Sequence, residues 1–105
     1  MRKTTSKSTE TRAMLDILLS GATADIILLF RNKPDLVLTR ESIAVKIGLN
    51  AESIESDLDK IANLGLLKSR KIGAQTWFSL NKNRDRQIQA QIRNYLRSFG
   101  ENNQF

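Results

Sequence analysis

The sequence predicts one α+β domain that is mainly helical and contains a small β-hairpin. Two patterns predict this fold class. Apolar residues recur at helical spacing in several segments, whereas residues 66–80 contain two strand-like runs around a glycine-containing turn. The length of 105 residues suits a single domain with one core. The chain is 40% hydrophobic and 27% charged, which is typical of a globular protein.

Composition excludes several kinds of chemistry. The chain contains no Cys and no His, so it lacks thiolate metal sites, disulfides, thiol nucleophiles and imidazole bases. We therefore expect no enzymatic activity, no cofactor and no metal. The net charge of +6 predicts an anionic partner, for which nucleic acid is the first choice. The longest apolar run, Ile26–Phe30, is too short to cross a bilayer, so we expect a cytoplasmic protein without a membrane partner.

The first third of the chain predicts a tail, two helices and a short extended piece. Residues 1–11 are rich in Ser, Thr and Lys and predict a flexible basic tail rather than a signal peptide. Ala13–Leu19 and Thr23–Asn32 predict helices, and Pro34 lies just beyond the end of the second. Val37–Leu38 predicts a short extended segment.

The middle of the chain predicts two helices joined by a tight turn. Thr39 is a typical N-cap for a helix that runs to about Ile47, and Gly48 ends this helix. Asn50 can cap the next helix, Ala51–Leu64, after only a short turn. Two helices connected in this way form a helix-turn-helix.

The last third of the chain changes from helical spacing to strands and back to a helix. Leu66–Lys71 and Thr76–Leu80 predict the two strands of a hairpin. Asp85–Phe99 predicts an amphipathic C-terminal helix. The folded domain is therefore expected to span residues 12–100, with a disordered tail at residues 101–105.

A helix-turn-helix followed by a basic hairpin is the arrangement of a winged helix, here with an additional C-terminal helix. From Leu15 to about Leu96 the sequence resembles the ArsR-like group of prokaryotic winged-helix transcriptional regulators. The motifs that carry the resemblance are LDILLSG from Leu15, TRESIA from Thr39, IGLN from Ile47, LGLL from Leu64 and WFSLN from Trp77. The resemblance implies a protein that binds duplex DNA as a homodimer. Metal-sensing members of the group use Cys and His, so metal sensing is not implied for this chain.

Charge is distributed unevenly over the predicted DNA-binding elements. Residues 50–65 contain four acidic residues and one basic residue, whereas residues 66–87 contain six basic residues and one acidic residue. The Ala51–Leu64 helix takes the position of a recognition helix, which normally enters the major groove, and the hairpin is expected to grip phosphates. The predicted DNA-contacting residues are Arg40, Asn50, Glu52, Ser53, Ser56, Lys60, Lys68, Arg70, Lys71 and Gln75.

The acidity of the Ala51–Leu64 helix leaves two interpretations open. Glu52 can stabilise the helix dipole from the first turn, or it can accept a hydrogen bond from cytosine N4. The same acidity permits a different function, a protein-interaction module of an antitoxin-like or adaptor kind that binds its partner through this helix and the C-terminal helix. The basic cluster Lys82–Arg86 lies at a helix start, where positive charge is unfavourable, and predicts a docking site for phosphates or an acidic partner.

An apolar stripe on the C-terminal helix predicts a homodimer. Three helices and a hairpin already form a complete winged helix, so this stripe would be surplus to the core and exposed, as interface surfaces are. The predicted interface also includes part of the first helix. Its residues are Leu15, Leu18, Ile88, Ile92, Tyr95, Leu96 and Phe99.

Overall fold

Five α-helices and a three-stranded antiparallel sheet make up the part of the chain that the structure describes. The structure is a computed structural model, and it describes the backbone of residues 2–102 and the side chains of residues 9–99. In chain order the elements are α1 (Arg2–Leu18), α2 (Thr23–Asn32), β1 (Val37–Thr39), α3 (Arg40–Ile47), α4 (Glu55–Asn63), β2 (Leu67–Ile72), β3 (Gln75–Leu80) and α5 (Lys82–Asn102). The predicted α+β class and the predicted order of elements are confirmed.

Short-range polar contacts define the helix-turn-helix, which consists of α3 and α4. The Thr39 hydroxyl accepts a hydrogen bond from the Ser42 amide at 3.2 Å, and Gly48 ends α3 with a φ of 77°. The Asn50 side chain accepts a hydrogen bond from the Ser53 amide at 3.0 Å. The predicted caps and the predicted helix end are therefore confirmed.

The second helix of this motif starts later than predicted. A single turn of 3-10 helix, Glu52–Ile54, precedes α4, which begins at Glu55. The reason lies in Ser53, whose amide and hydroxyl both donate to the Asn50 carbonyl. Hydrogen bonds over three residues are characteristic of the 3-10 conformation.

The sheet has the strand order β1-β3-β2, and both pairings are antiparallel. The extended segment predicted at Val37–Leu38 is part of β1 and pairs with β3. The hairpin strands reach further towards the turn than predicted, to Ile72 and Gln75. Gly73 has a φ of 63°, the conformation that a two-residue hairpin turn requires at its first position.

The core draws on all five helices, and α5 contributes to it directly. Ile88 of α5 is fully buried, and Leu18 of α1 is only 9% exposed. The sequence assigns both residues to a dimer interface, but the structure places them inside the core of the single chain. Since α5 starts at Lys82, directly after β3, its first turns must pack against the domain. The other fully buried large apolar side chains are Ile26, Phe30, Ile43, Ile54, Leu58, Ile61 and Leu66.

Polar contacts hold α5 against α1 and α2. Arg31 of α2 donates to Asp85 of α5 from two nitrogens, at 2.8 and 3.0 Å. Gln91 of α5 donates to the Thr11 hydroxyl of α1 at 3.0 Å. Because a buried carboxylate is costly unless it is paired, the ion pair of the buried Asp85 fixes the start of α5.

Both terminal helices are longer than predicted. The backbone of α1 is helical from Arg2, through residues assigned to a flexible tail, and neither Gly nor Pro interrupts it before Leu18. At the other end, α5 begins at Lys82 and continues to Asn102. Met1 and residues 103–105, which belong to the two predicted tails, lie outside the described residues.

No single helix in the described part of the chain is long and apolar enough to cross a membrane. Only the segment Thr9–Leu18 together with α2 reaches the necessary length and composition, and these two helices are bent by 85°. The apolar residues of α2 that produce this signal include Ile26, Ile27 and Phe30, which are buried in the core.

Candidate nucleic-acid interface

One side of α4 and of the turn before it faces solvent and carries half of the predicted contact residues. Ile54, Leu58 and Ile61 are buried on the opposite side. The predicted residues that remain exposed on α4 or on the turn before it are Asn50, Glu52, Ser53, Ser56 and Lys60. Such a surface offers hydroxyls, an amide and an ammonium group for contacts with base edges.

One of the acidic residues of α4 is buried inside the domain. Asp57 is buried, and its Oδ2 accepts a hydrogen bond from the Ala22 amide at 3.3 Å. An added Cβ on Gly21 would lie 2.7 Å from Asp57 Oδ1. Asp57 therefore stabilises the start of α2, where a negative charge is favourable. The acidic residues that α4 and its preceding turn expose are Glu52, Glu55 and Asp59.

The predicted basic residues of the hairpin are exposed and unpaired. Lys68, Arg70 and Lys71 of β2 all lie at the surface. Within the described residues, none of the three forms a salt bridge. Cations in this state are available to replace the counterions of a phosphate backbone.

The register of the hairpin distributes these cations over both of its faces. Lys71 is on the face that also carries Phe78, which packs against the core. Arg70 lies opposite Trp77 on the other face, and Lys68 shares that face because alternate residues of a strand point the same way. Lys71 is therefore the hairpin cation on the side of α4.

An open cleft of about 410 Å³ lies between α4 and this face of the hairpin. Its lining includes Gln75, a predicted contact residue at the start of β3, and Ser69 of β2. Three carboxylates also line it, those of Glu41, Glu55 and Asp59. Against these three carboxylates the lining has one guanidinium, that of Arg40, so its net charge is negative and opposes the approach of a phosphate except at Arg40.

Arg40 was predicted to contact phosphate, but two of these carboxylates already bind it. Its Nη1 donates to Glu55 Oε1 at 2.8 Å, and its Nη2 donates to Glu41 Oε2 at 3.1 Å. The pKa of Glu41 is lowered, first by a hydrogen bond from its own backbone amide and then by the Arg40 side chain. The pairing links the start of α3 to α4 and offsets the positive charge of Arg40.

In the basic cluster at the start of α5, Lys82 and Arg84 bind groups elsewhere in the chain, whereas Arg86 is exposed and donates to Asn83 within α5. The Arg84 Nε donates to the Leu64 carbonyl at 2.9 Å, and Lys82 forms a salt bridge with Asp35. The prediction of a docking site is wrong for Arg84, because this residue places its positive charge at the C-terminal end of α4, where such a charge is favourable. The partner lies 20 residues away along the chain, and no local spacing signals it.

The apolar stripe predicted for dimerisation divides into a buried part and an exposed part. Leu15 and Ile92 are partly buried, and Ile92 packs against the core. Further along α5, Leu96 is 55% exposed and Phe99 is 48% exposed. Tyr95 packs edge-on against Phe99, with ring centroids 4.9 Å apart. An apolar surface therefore remains near the end of α5.

Solved structures with the same architecture include several transcriptional regulators. A possible transcriptional regulator for arsenical resistance is 21% identical, with a TM-score of 0.61 and 81% of each chain covered. A possible transcriptional regulator from Methanosarcina mazei Go1 is 16% identical, with a TM-score of 0.63, over 90% of this chain and 81% of the other. HlyU from Vibrio cholerae N16961 is 18% identical, with a TM-score of 0.62, over 91% of this chain and 99% of the other.

No protein-family model and no curated protein sequence matches the chain. At these low identities the likeness concerns the fold, which the matched structures share over 81–91% of this chain. The chain therefore has the winged-helix fold of these ArsR-like regulators, as the resemblance of its sequence implies.

Proposed function

We propose that the protein is a non-enzymatic transcriptional regulator that binds duplex DNA as a homodimer. The observation that carries this proposal is a hairpin beside the exposed side of α4 in a winged-helix fold, with three exposed cations on β2 that form no salt bridge within the described residues. Regulators with this fold are among the similar solved structures. A basic hairpin beside a helix-turn-helix is suited to hold phosphates while the helix enters the groove.

The proposal assigns different tasks to the two elements. Lys68, Arg70 and Lys71 supply affinity through phosphates, which carry no sequence information. The exposed side of α4 supplies discrimination, with Ser53, Ser56 and Lys60 as its contacts to base edges and Asn50 at the turn before it. Gln75, at the hairpin turn, reaches the same duplex from the other wall of the cleft.

Homodimerisation through the end of α5 is the second part of the proposal. Leu96 and Phe99 expose about half of their surface in the single chain, and apolar surface of this kind is favourable to cover. Two helix-turn-helix units related by a two-fold axis would bind two half-sites of a duplex.

The test is a titration of a fluorescently labelled duplex with the full chain, followed by anisotropy at several salt concentrations. Binding should weaken steeply as salt rises, because it releases counterions from the duplex. Arg70→Ala combined with Lys71→Ala should weaken binding to every sequence. The matched control is Lys33→Ala combined with Arg93→Ala, which removes the same charge from exposed positions outside the hairpin.

Two results would count against the proposal. Equal losses from the hairpin pair and the control pair would mean that net charge alone drives the binding. An absence of binding even at low salt would instead favour the protein-interaction function, in which the acidic side of α4 recognises a basic partner.

A further inference from the structure

Arg40 is held by contacts within the protein and is also partly exposed beside the proposed DNA-binding surface. Its side chain is 35% exposed at the edge of the cleft between α4 and the hairpin. Two of its N–H groups donate to Glu55 and Glu41, and a guanidinium carries five. Because both terminal nitrogens already donate to a carboxylate, a phosphate that approaches the exposed part of Arg40 must compete with these carboxylates for a bidentate contact.

Both carboxylates that hold Arg40 can be displaced. The side chains of Glu41 and Glu55 are 60% and 61% exposed, so either can turn towards water without a buried charge being left behind. Exposed ion pairs contribute little net free energy, about 0–1 kcal/mol. A phosphate of a docked duplex binds a guanidinium in the same planar manner as a carboxylate does.

The ion pair is not needed to hold α3 and α4 together. Ile43 of α3 and Leu58 and Ile61 of α4 are almost fully buried in the same core. The capping bonds of Thr39 and Asn50 fix the start of each helix independently. The ion pair therefore adds to other contacts that join α3 and α4, and it neutralises a partly exposed arginine beside the proposed recognition helix.

We propose that Glu55, assisted by Glu41, limits the DNA affinity of the protein by holding Arg40 in a pair that a phosphate must displace. This inference rests on the proposed DNA-binding function. In the free protein Arg40 is neutralised. In a complex with Glu55 in place, a phosphate competes with the carboxylate for the same N–H groups. Glu55 is thereby a residue that sets affinity without contacting the duplex.

The experiment compares the wild-type chain with Glu55→Gln on a duplex of random sequence, measuring both the affinity and its salt dependence. Glu55→Gln frees Arg40 for one more phosphate in each subunit. The slope of log K against log salt should steepen by about 2 for a dimer, and affinity at low salt should rise by about threefold or more. Circular dichroism should show an unchanged helix content, since Glu55 is exposed.

Three further variants separate the pairing from its charge. Asp59→Asn removes the same charge from an exposed residue of α4 that forms no salt bridge within the described residues, and it should change the salt slope much less. In Glu55→Gln combined with Arg40→Ala, the gain should disappear, because the freed guanidinium is absent. Glu41→Gln should act in the same direction as Glu55→Gln and to a smaller extent.

The outcomes distinguish this inference from the function on which it rests. If the wild-type chain binds DNA and Glu55→Gln binds equally well or more weakly with the same slope, the inference is overturned and the proposed function stands. If Asp59→Asn reproduces the whole effect, the pairing with Arg40 is irrelevant and the inference is again overturned. If neither the wild-type chain nor any variant binds DNA, both fall together.

Discussion

Arg31 and Asp85 form an ion pair in which two nitrogens of one guanidinium meet one buried carboxylate, across 54 residues of sequence. The Asp85 side chain is 7% exposed and that of Arg31 is 33% exposed. Gln89 donates to the second carboxylate oxygen at 2.8 Å. This pair is one of the polar connections between α5, the helix that carries the proposed dimer surface, and the rest of the domain.

Replacement of Asp85 by Ala should destabilise the fold. The change leaves Arg31 and Gln89 without their acceptor, and Arg31 can recover part of its hydration because it is partly exposed. We expect a loss of about 2 kcal/mol in the free energy of unfolding, measured by urea denaturation. Asp35→Ala is the control, since Asp35 pairs with Lys82 at the surface, and it should cost less than about 0.5 kcal/mol. Equal effects of the two changes would contradict this account.

Gly21→Ala should be more damaging than Gly48→Ala. Both glycines have positive φ, 54° and 77°, so both alanine variants carry the strain of the left-handed region, about 1–2 kcal/mol. Only at Gly21 would the new Cβ also collide with the Asp57 carboxylate, whereas nothing lies within 4 Å of a Cβ at Gly48. The difference between the two melting temperatures reports the contact with Asp57. Similar melting temperatures would show that the carboxylate moves aside freely.

The salt dependence of DNA binding should reflect three phosphate contacts in each subunit rather than four. Lys68, Arg70 and Lys71 are unpaired in the described structure, but Arg40 is neutralised by Glu41 and Glu55. For a dimer the slope of log K against log salt should be about −5, compared with about −7 if Arg40 also binds phosphate from the start. Lys71→Ala should flatten the slope by about 2. A slope near −7 in the wild-type chain would show that DNA displaces the pair completely.

Leu96→Asp should split the dimer and leave the subunit folded. Leu96 is 55% exposed, so a carboxylate there costs little until a partner covers it, and a buried unpaired charge then opposes association. Light scattering should give the mass of one chain, with an unchanged thermal melt. Val45→Asp, at a position that is 79% exposed on α3, is the control and should leave the mass unchanged. A Leu96→Asp protein with the mass of two chains would place the interface elsewhere.

Local signals in the sequence predict the helix-turn-helix because their partners are only a few residues away. The Thr39 side chain accepts from the Ser42 amide, and the Asn50 side chain accepts from the Ser53 amide. Gly48 ends α3 through its own backbone conformation alone. The same reasoning places α2 at the residues predicted, Thr23–Asn32. Residue spacing also predicts the position of the basic hairpin, although not the length of its strands.

Tertiary partners are the part that the sequence does not reveal. Ile88 has the same helical spacing as Leu96, and only the packing of α5 against the domain shows that one is core and the other is surface. Arg40 and Arg84 look like free cations until Glu55 and the Leu64 carbonyl are found beside them. Which cations are available to a phosphate is decided by such long-range contacts.

The hydrogen bond from Arg84 to the Leu64 carbonyl couples the start of α5 to the C-terminal end of α4. Arg84, which binds the end of the proposed recognition helix, belongs to the same helix that carries Leu96 and Phe99 near its other end. A rotation of α5 therefore either turns α4 with it or breaks this charge-assisted hydrogen bond, which leaves the end of α4 without the contact. A movement at the proposed subunit contact would thus change the orientation of the proposed recognition helix.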